Sequence, residues 1–296
     1  MGSTRQDPIL HVGIIGCGEI SQVAHIPNIN FLAHRFRTTY LCDISQQSLR
    51  HCAQRVLGET PKSTASAEEL CASPDVDVVL ITNADAYPVE QGILALQNEK
   101  YCLIEKPASI CLRYIDRLIE AEKISKGKVF VGTMRRFAAA FLDAVEDYRN
   151  QAHPQRFDDF SKQDSCDRAN KEADIYEQAI NDNVLFRYDN FPVVYESGLS
   201  DIPFFGAHIE VASPRKTVRV IFDNPYIKGL PVTLLIREKI GDGFQERKIR
   251  KTYEDPYTLE LLDLYDFVVN GKTPKSGAED AKKDLELFRM ILQAGF

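Results

Sequence analysis

The stretch 10–21, LHVGIIGCGEIS, constrains the fold more than any other part of the chain. Its first seven residues are apolar apart from His11, the pattern of a strand covered on both faces in a parallel sheet. Gly16, Cys17 and Gly18 then break the run, and an amphipathic helix is predicted to open at Glu19. A parallel strand reaches its neighbour only through a crossover, so helices and strands must alternate downstream. TTYLCD (38–43) supplies a second strand ending on Asp43, followed by helical spacing from Ser45 to Leu57. Lys62 to Thr64 is a weak third strand, and Ser66 and Glu69 stand at capping-box spacing before a short helix. VDVVLIT (76–82), a helix near 88–98, the strand YCLIE (101–105), a helix near 110–125 and the strand KVFVGT (128–133) continue the series. Right-handed crossovers and a doubly wound parallel sheet follow, an α/β class.

Ligands of such sheets gather outside the carboxyl ends of the strands. Gly18, Asp43, Asn83 and Lys106 each fall just past a strand end, so four segments converge on one edge. A lone G-x-G-x-x-G match is weak; here the glycines follow a strand, open a helix and precede an acid 25 positions beyond Gly18. Gly16 allows the tight turn. Gly18, with Glu19 and Ile20 after it, brings backbone N–H groups to a pyrophosphate at the helix N-terminus, and Ser21 is a small residue in the third position. Asp43 would accept hydrogen bonds from the adenosine ribose and repel a 2′-phosphate, favouring NAD over NADP. The plainer alternative is a pair of turn glycines and a helix-capping Asp.

Lys106 ends the fifth strand within Glu105-Lys106-Pro107. A primary amine there can donate a hydrogen bond to a substrate hydroxyl or carbonyl oxygen and stabilise developing charge. Pro107 biases Lys106 to an extended backbone and admits a cis bond. Standing alone, the triplet would read as a surface ion pair between Glu105 and Lys106.

Taken together, GIIGCGEIS, the acid Asp43, ITN (81–83), EKP (105–107) and VGTMRRF (131–137) resemble the Gfo/Idh/MocA family of oxidoreductases. The resemblance covers residue 10 to about 145 with specific motifs and continues more loosely beyond. It implies NAD(P) chemistry on a sugar, inositol or related small hydroxyl or carbonyl compound. By motif it assigns Gly16, Gly18 and Ser21 to the phosphate loop, Asp43 to the ribose, Asn83 to the nicotinamide side, Lys106 to catalysis and Arg135 or Arg136 to the start of the substrate domain. It further implies a Rossmann domain over 1–133 and an α+β domain over 134–296 with a large open, mainly antiparallel sheet. The C-terminal helix, 278–294, would pack back on the first domain, and the open sheet would make a homo-dimer or higher homo-oligomer.

The second half fits that expectation in part. FPVVYES, FGAHIEVAS, KTVRVIF, VTLLIRE and FQERKIRKT are β-rich runs separated by turn residues. Asp255 and Pro256 form an N-cap and N1 pair, and Ser276 with Glu279 a capping box, for two closing helices. Before these runs, Gln151 to Tyr188 lacks the family's catalytic His: only His153 and His208 follow Arg149, one in an apparent loop and the other alternating within a strand. The junctions EDYRNQAHPQRFDDF and QAINDNVLFRYDNF are abrupt beside the family pattern, as if two internal segments were absent. A cofactor-binding sensor or tailoring protein without redox chemistry is therefore the alternative reading.

Composition narrows the classes. With 44% hydrophobic and 27% charged residues the chain is ordinary globular material. A formal net charge of −7, with the basic run 247–251 alternating inside a predicted strand, argues against a nucleic-acid partner. Seven scattered cysteines without a C-x-x-C pair predict reduced thiols and no metal site. No apolar run nears the ~20 residues of a membrane span, and MGSTRQDPIL has no signal-peptide core, so a soluble, cytoplasmic chain with no membrane partner is expected.

Overall fold

The computed structural model describes residues 7–83, 88–149, 183–187, 192–196, 206–224, 226–227, 230 and 232–294. The chain divides into two compact units, one of Met1–Gly132, Arg168–Pro203 and Phe267–Phe296, the other of Thr133–Asp167 and Phe204–Asp266.

The first unit is built on a six-stranded sheet in the order β3-β2-β1-β4-β5-β6, every described pair parallel. The strands are β1 (Leu10–Ile15), β2 (Phe36–Cys42), β3 (Lys62–Thr64), β4 (Val78–Ile81), β5 (Tyr101–Glu105) and β6 (Val129–Gly132). Strand order reverses at β1, which pairs with β2 on one side and β4 on the other, so the switch point falls between β1 and β4. Continuous apolar strands require cover on both faces. Helices α1 (Ile26–Phe31), α2 (Gln46–Arg55), α3 (Ala67–Ala72), α4 (Pro88–Gln97) and α5 (Leu112–Ile124) follow β1 to β5 in turn. In α5 the stripe Ile115, Leu118 and Ile119 is buried, while Asp116, Arg117 and Glu120 between them are exposed. The same apolar cluster takes in Ala278 and Ala281 from the last helix. Cys17, Cys42, Cys52, Cys71, Cys102 and Cys111 are buried free thiols in this unit.

Capping follows the sequence expectation at Asp255 and departs from it at two helices, and Ser45, expected only as a helix start, also serves as a cap. Ser45 Oγ accepts from the Ser48 N–H at the start of α2, and Asp255 Oδ1 from the Thr258 N–H at the start of α7 (Pro256–Asn270). Ser66 Oγ accepts from the Glu69 N–H, but Glu69 does not reciprocate: its carboxylate binds the Thr64 hydroxyl and the Tyr40 phenol. The predicted Ser276 and Glu279 box is displaced by one residue. The Ser276 carbonyl accepts the Val131 N–H at 2.9 Å, which holds residue 276 against β6. Helix α8 (Ala278–Ala294) therefore starts behind Gly277, whose N–H donates to Asp280 Oδ2.

The second unit centres on an antiparallel sheet ordered β12-β11-β10-β9, with β9 (Ala207–Ala212), β10 (Lys216–Phe222), β11 (Thr233–Ile240) and β12 (Gly243–Ile249). One face, with Val218, Val220, Leu234 and Ile236, packs on α6 (Ala139–Arg149) and the residues before it. The other carries cross-strand ion pairs, Arg219 with Glu210 and Arg237 with Glu246. Four of the five predicted β-rich runs form these strands, and the fifth forms β8 (Pro192–Glu196). Its antiparallel partner β7 (Asn183–Arg187), which with β8 falls in the first unit, was not anticipated, although the turn residues Asp189 and Asn190 follow it in sequence. His153 and most of both abrupt junctions lie outside the described residues.

Candidate cofactor and active site

The glycine loop leaves the end of β1 at the switch point. Gly16 has φ +98°, and a Cβ there would stand 2.7 Å from the Asn83 backbone nitrogen and 2.9 Å from the Thr82 carbonyl carbon. Glycine is therefore required twice, by conformation and by close approach to the exit of β4. The loop carbonyls are tied back by its own helix. Ser21 Oγ lies 2.6 Å and Thr82 Oγ1 2.7 Å from the Gly16 oxygen, the two hydroxyls stand 2.7 Å apart, and Gln22 Nε2 donates to the Cys17 oxygen at 2.8 Å. Ser21 thus does more than permit close packing in the third fingerprint position; it clasps the turn. At Gly18 the backbone is exposed and an added Cβ would meet nothing within 4 Å. Glu19 is exposed and Ile20 half-buried beside it, at the start of the helix.

Asp43 closes the other side of the loop. Its Oδ2 accepts from the Cys17 N–H and its Oδ1 from the Ser45 N–H, each at 2.7 Å. Both oxygens keep a further lone pair for an outside donor, so the carboxylate is oriented without being saturated. Asn83, at the end of β4, has a buried Oδ1 that accepts no hydrogen bond among the described residues. An orphaned acceptor, open backbone at Gly18 and an oriented, half-buried carboxylate suit a dinucleotide lying across the switch point. The residues fit the group. The contact with Cys52, then burial and the nearby Asp43 carboxylate, raise the Cys17 thiol well above its ordinary value.

At the end of β5 the Lys106–Pro107 peptide is cis and Lys106 is exposed. Glu105 does not pair with the Lys106 amine. Its Oε1 lies 2.7 Å from His25 Nε2, and its Oε2 accepts the Lys106 backbone N–H at 3.2 Å. The surface ion-pair reading is thereby displaced, since the carboxylate is already engaged and only 11% exposed. His25 ends a π-helical turn, Ser21–His25, that runs from the glycine loop into α1. Sequence reasoning missed both His25 and Thr82. Thr82 carried a signal, a hydroxyl ending an otherwise apolar strand; His25 carried none that pointed 80 residues ahead.

The first unit therefore brings Gly16, Gly18, Ser21, Asp43, Asn83, Glu105, Lys106 and Pro107 to the carboxyl ends of adjacent strands. Arg135 and Arg136 belong to the second unit, in a 3-10 turn over Met134–Phe137. There the Arg135 guanidinium lies over the Phe222 ring at 5.2 Å. It lines a small cleft with Asp223, Asn224 and Asp255. Among the described residues no cluster of three or more His, Cys, Asp or Glu could hold a metal, and no helix is long and apolar enough to cross a membrane.

Residues 10–133 match the family model of the Gfo/Idh/MocA oxidoreductases, described as an oxidoreductase family with an NAD-binding Rossmann fold. Inositol 2-dehydrogenase of Agrobacterium fabrum is 30% identical over 135 residues, 45% of this chain and 39% of its own length. Myo-inositol 2-dehydrogenase of Thermotoga maritima is 28% identical over 141 residues, 48% of this chain and 41% of its own length. The chain thus spans about two fifths of the length of these curated relatives. Among solved structures, a 3-ketoreductase from Actinomadura kijaniata, in complex with NADP, superposes with TM-score 0.71 at 14% identity, covering 97% of this chain and 98% of that one. Aldose-aldose oxidoreductase from Caulobacter crescentus gives 0.69 at 16%, covering 97% of each. Those two likenesses establish the fold, α/β with a separate antiparallel sheet. Over residues 10–133, which hold the glycine loop, Asp43, Asn83 and Lys106, the chain matches the Gfo/Idh/MocA oxidoreductase family model and is similar to the inositol 2-dehydrogenases.

Proposed function

We propose that the chain is an NAD-dependent oxidoreductase acting on a CH–OH group of a small polyol, inositol or sugar, or on the corresponding carbonyl. The observation that carries this reading is the placement of the glycine loop, Asp43, Asn83 and Lys106 at the ends of neighbouring strands around one switch point. The nicotinamide, when bound, supplies the hydride acceptor or donor. Backbone N–H groups from Gly18 to Ile20 hold the pyrophosphate, Asp43 accepts from the ribose hydroxyls, and Asn83 Oδ1 accepts from a donor on the nicotinamide side. Lys106 donates a hydrogen bond to the reacting oxygen and stabilises its charge. Arg135 and Arg136 are proposed substrate contacts, and residues 1–133 and 134–296 the cofactor and substrate domains. NAD is preferred because a 2′-phosphate beside the Asp43 carboxylate would be repelled. The inositol dehydrogenases among the relatives make cyclic polyols the first substrates to try.

NADH fluorescence titration followed by a polyol and ketone panel, read at the nicotinamide absorbance band, tests the reading. Lys106→Ala should lower kcat about 10²–10³-fold while NADH affinity stays within about threefold, since its role is electrostatic and local. Unchanged turnover in that variant would remove Lys106 from catalysis. The second reading, a cofactor-binding protein without redox chemistry, is favoured by His208: it stands exposed on strand β9 and not on a helix. NADH binding with no turnover across the panel would select it.

A further inference from the structure

The Glu105 carboxylate is the meeting point of three segments. Oε1 meets His25 from the glycine-loop helix at 2.7 Å, and Oε2 accepts the Lys106 N–H from its own strand end. The third segment is Gly132, ending β6: a Cβ there would lie 3.2 Å from Glu105 Cδ and 3.3 Å from Oε1, so the carboxylate occupies the space a side chain would need. His25 is 0% exposed. It sits one π-helical turn from Ser21, whose hydroxyl grips the Gly16 carbonyl, and the Ile26 N–H closes that turn on the Ser21 oxygen. A continuous path therefore runs from the Gly16 turn through Ser21, His25 and Glu105 to the backbone of Lys106.

A helix and a strand could be joined here by apolar packing. Replacing a buried polar pair with apolar side chains is often neutral or stabilising, whereas removing one partner is costly. What a hydrogen-bonded pair adds is direction: imidazole and carboxylate meet along one line and fix each other's rotamer. π-helical turns insert one residue into a helix and recur at functional sites, and this one ends on His25 itself.

We infer that His25 and Glu105 form a positioning pair that ties Lys106 to the glycine loop, so that the loop sets where the Lys106 amine is presented. The inference rests on the cofactor reading above. Neither residue touches the reacting atoms; both act through Lys106.

Competitive acetylation with acetic anhydride, quantified by mass spectrometry, reads the Lys106 amine relative to the exposed Lys126, without any substrate. In the protein free of cofactor, His25→Ala and Glu105→Gln should each change the Lys106 to Lys126 ratio by about threefold or more, with the other lysines unmoved. His25→Gln, which can still donate to Glu105, should return the ratio to within about twofold of the native value. Should His25→Ala fail to fold, Glu105→Gln, close to isosteric, carries the test. A ratio unchanged in the folded variants, or a shift shared by all lysines, overturns the pairing. Addition of NADH to the native protein is the separate arm: protection of Lys106 supports the cofactor reading, and its absence overturns that reading while the ratios measured without cofactor still decide the pairing.

Discussion

Gly16 carries the sharpest residue-scale constraint. Alanine there would hold φ near +98° and push its Cβ to 2.7 Å from a backbone atom that no side-chain rotation can move. Such strain costs about 1–3 kcal/mol before the clash is counted. Gly16→Ala should lower the melting temperature, and NADH titration should show at least about tenfold weaker binding, because relief of the clash displaces the loop. Glu122 is a different kind of residue, with its consequence in pH. Burial raises its carboxyl above the ordinary value of 4.5, while the Val129 N–H and Lys128 act in the opposite direction. A raised folded-state pKa means that the native protein binds the proton more tightly than the unfolded chain. The stabilisation is present below that ordinary value and lost as pH rises through the raised one. Glu122→Gln keeps an acceptor for Val129 and cannot ionise. Urea midpoints taken from roughly pH 4 to pH 7 should show the variant gaining on the native protein as pH rises, and parallel curves would contradict the burial account.

At the scale of elements, the strands and the glycine loop were legible because their signals are local. A doubly covered strand is apolar throughout, and a phosphate turn needs glycine where the backbone must bend. Helix starts were legible only where nothing distant competed. Asp255 caps as its sequence context predicts, whereas Ser276 is held by β6 and Glu69 is drawn away by Tyr40 and Thr64. The same limit hid the pairing of His25 with Glu105 and the clasp of Ser21 on Thr82, both of which join residues more than sixty positions apart. Helix α7 illustrates how an element can matter beyond its own neighbours. Phe267, near its end, packs edge-on to Tyr101 at 5.4 Å between ring centres and lies 6.0 Å from the ring of the fully buried Phe130. Phe267→Ala should cost about 3–5 kcal/mol, measured by chemical denaturation, since the cavity opens between β5, β6 and α7.

For the whole molecule, the division of the chain is discontinuous. The first unit recruits residues 267–296 after the second has been threaded, and Ala278, Ala281 and Leu285 join its core cluster. Lys282 adds an ion pair with Asp116 at 2.7 Å. A chain ending at residue 266 keeps every described strand of the six-stranded sheet yet loses this strap, and should be markedly less stable to urea than the intact protein. The six buried thiols then acquire a use. A thiol reacts as its thiolate, and burial pushes Cys42 up to about 11 and Cys71 up to about 12. A disulfide reagent near neutral pH must wait for the surrounding structure to open. In a Cys166→Ser background every remaining cysteine belongs to the first unit, so labelling rates would clock the opening of that unit alone, thiol by thiol, while the second stays silent.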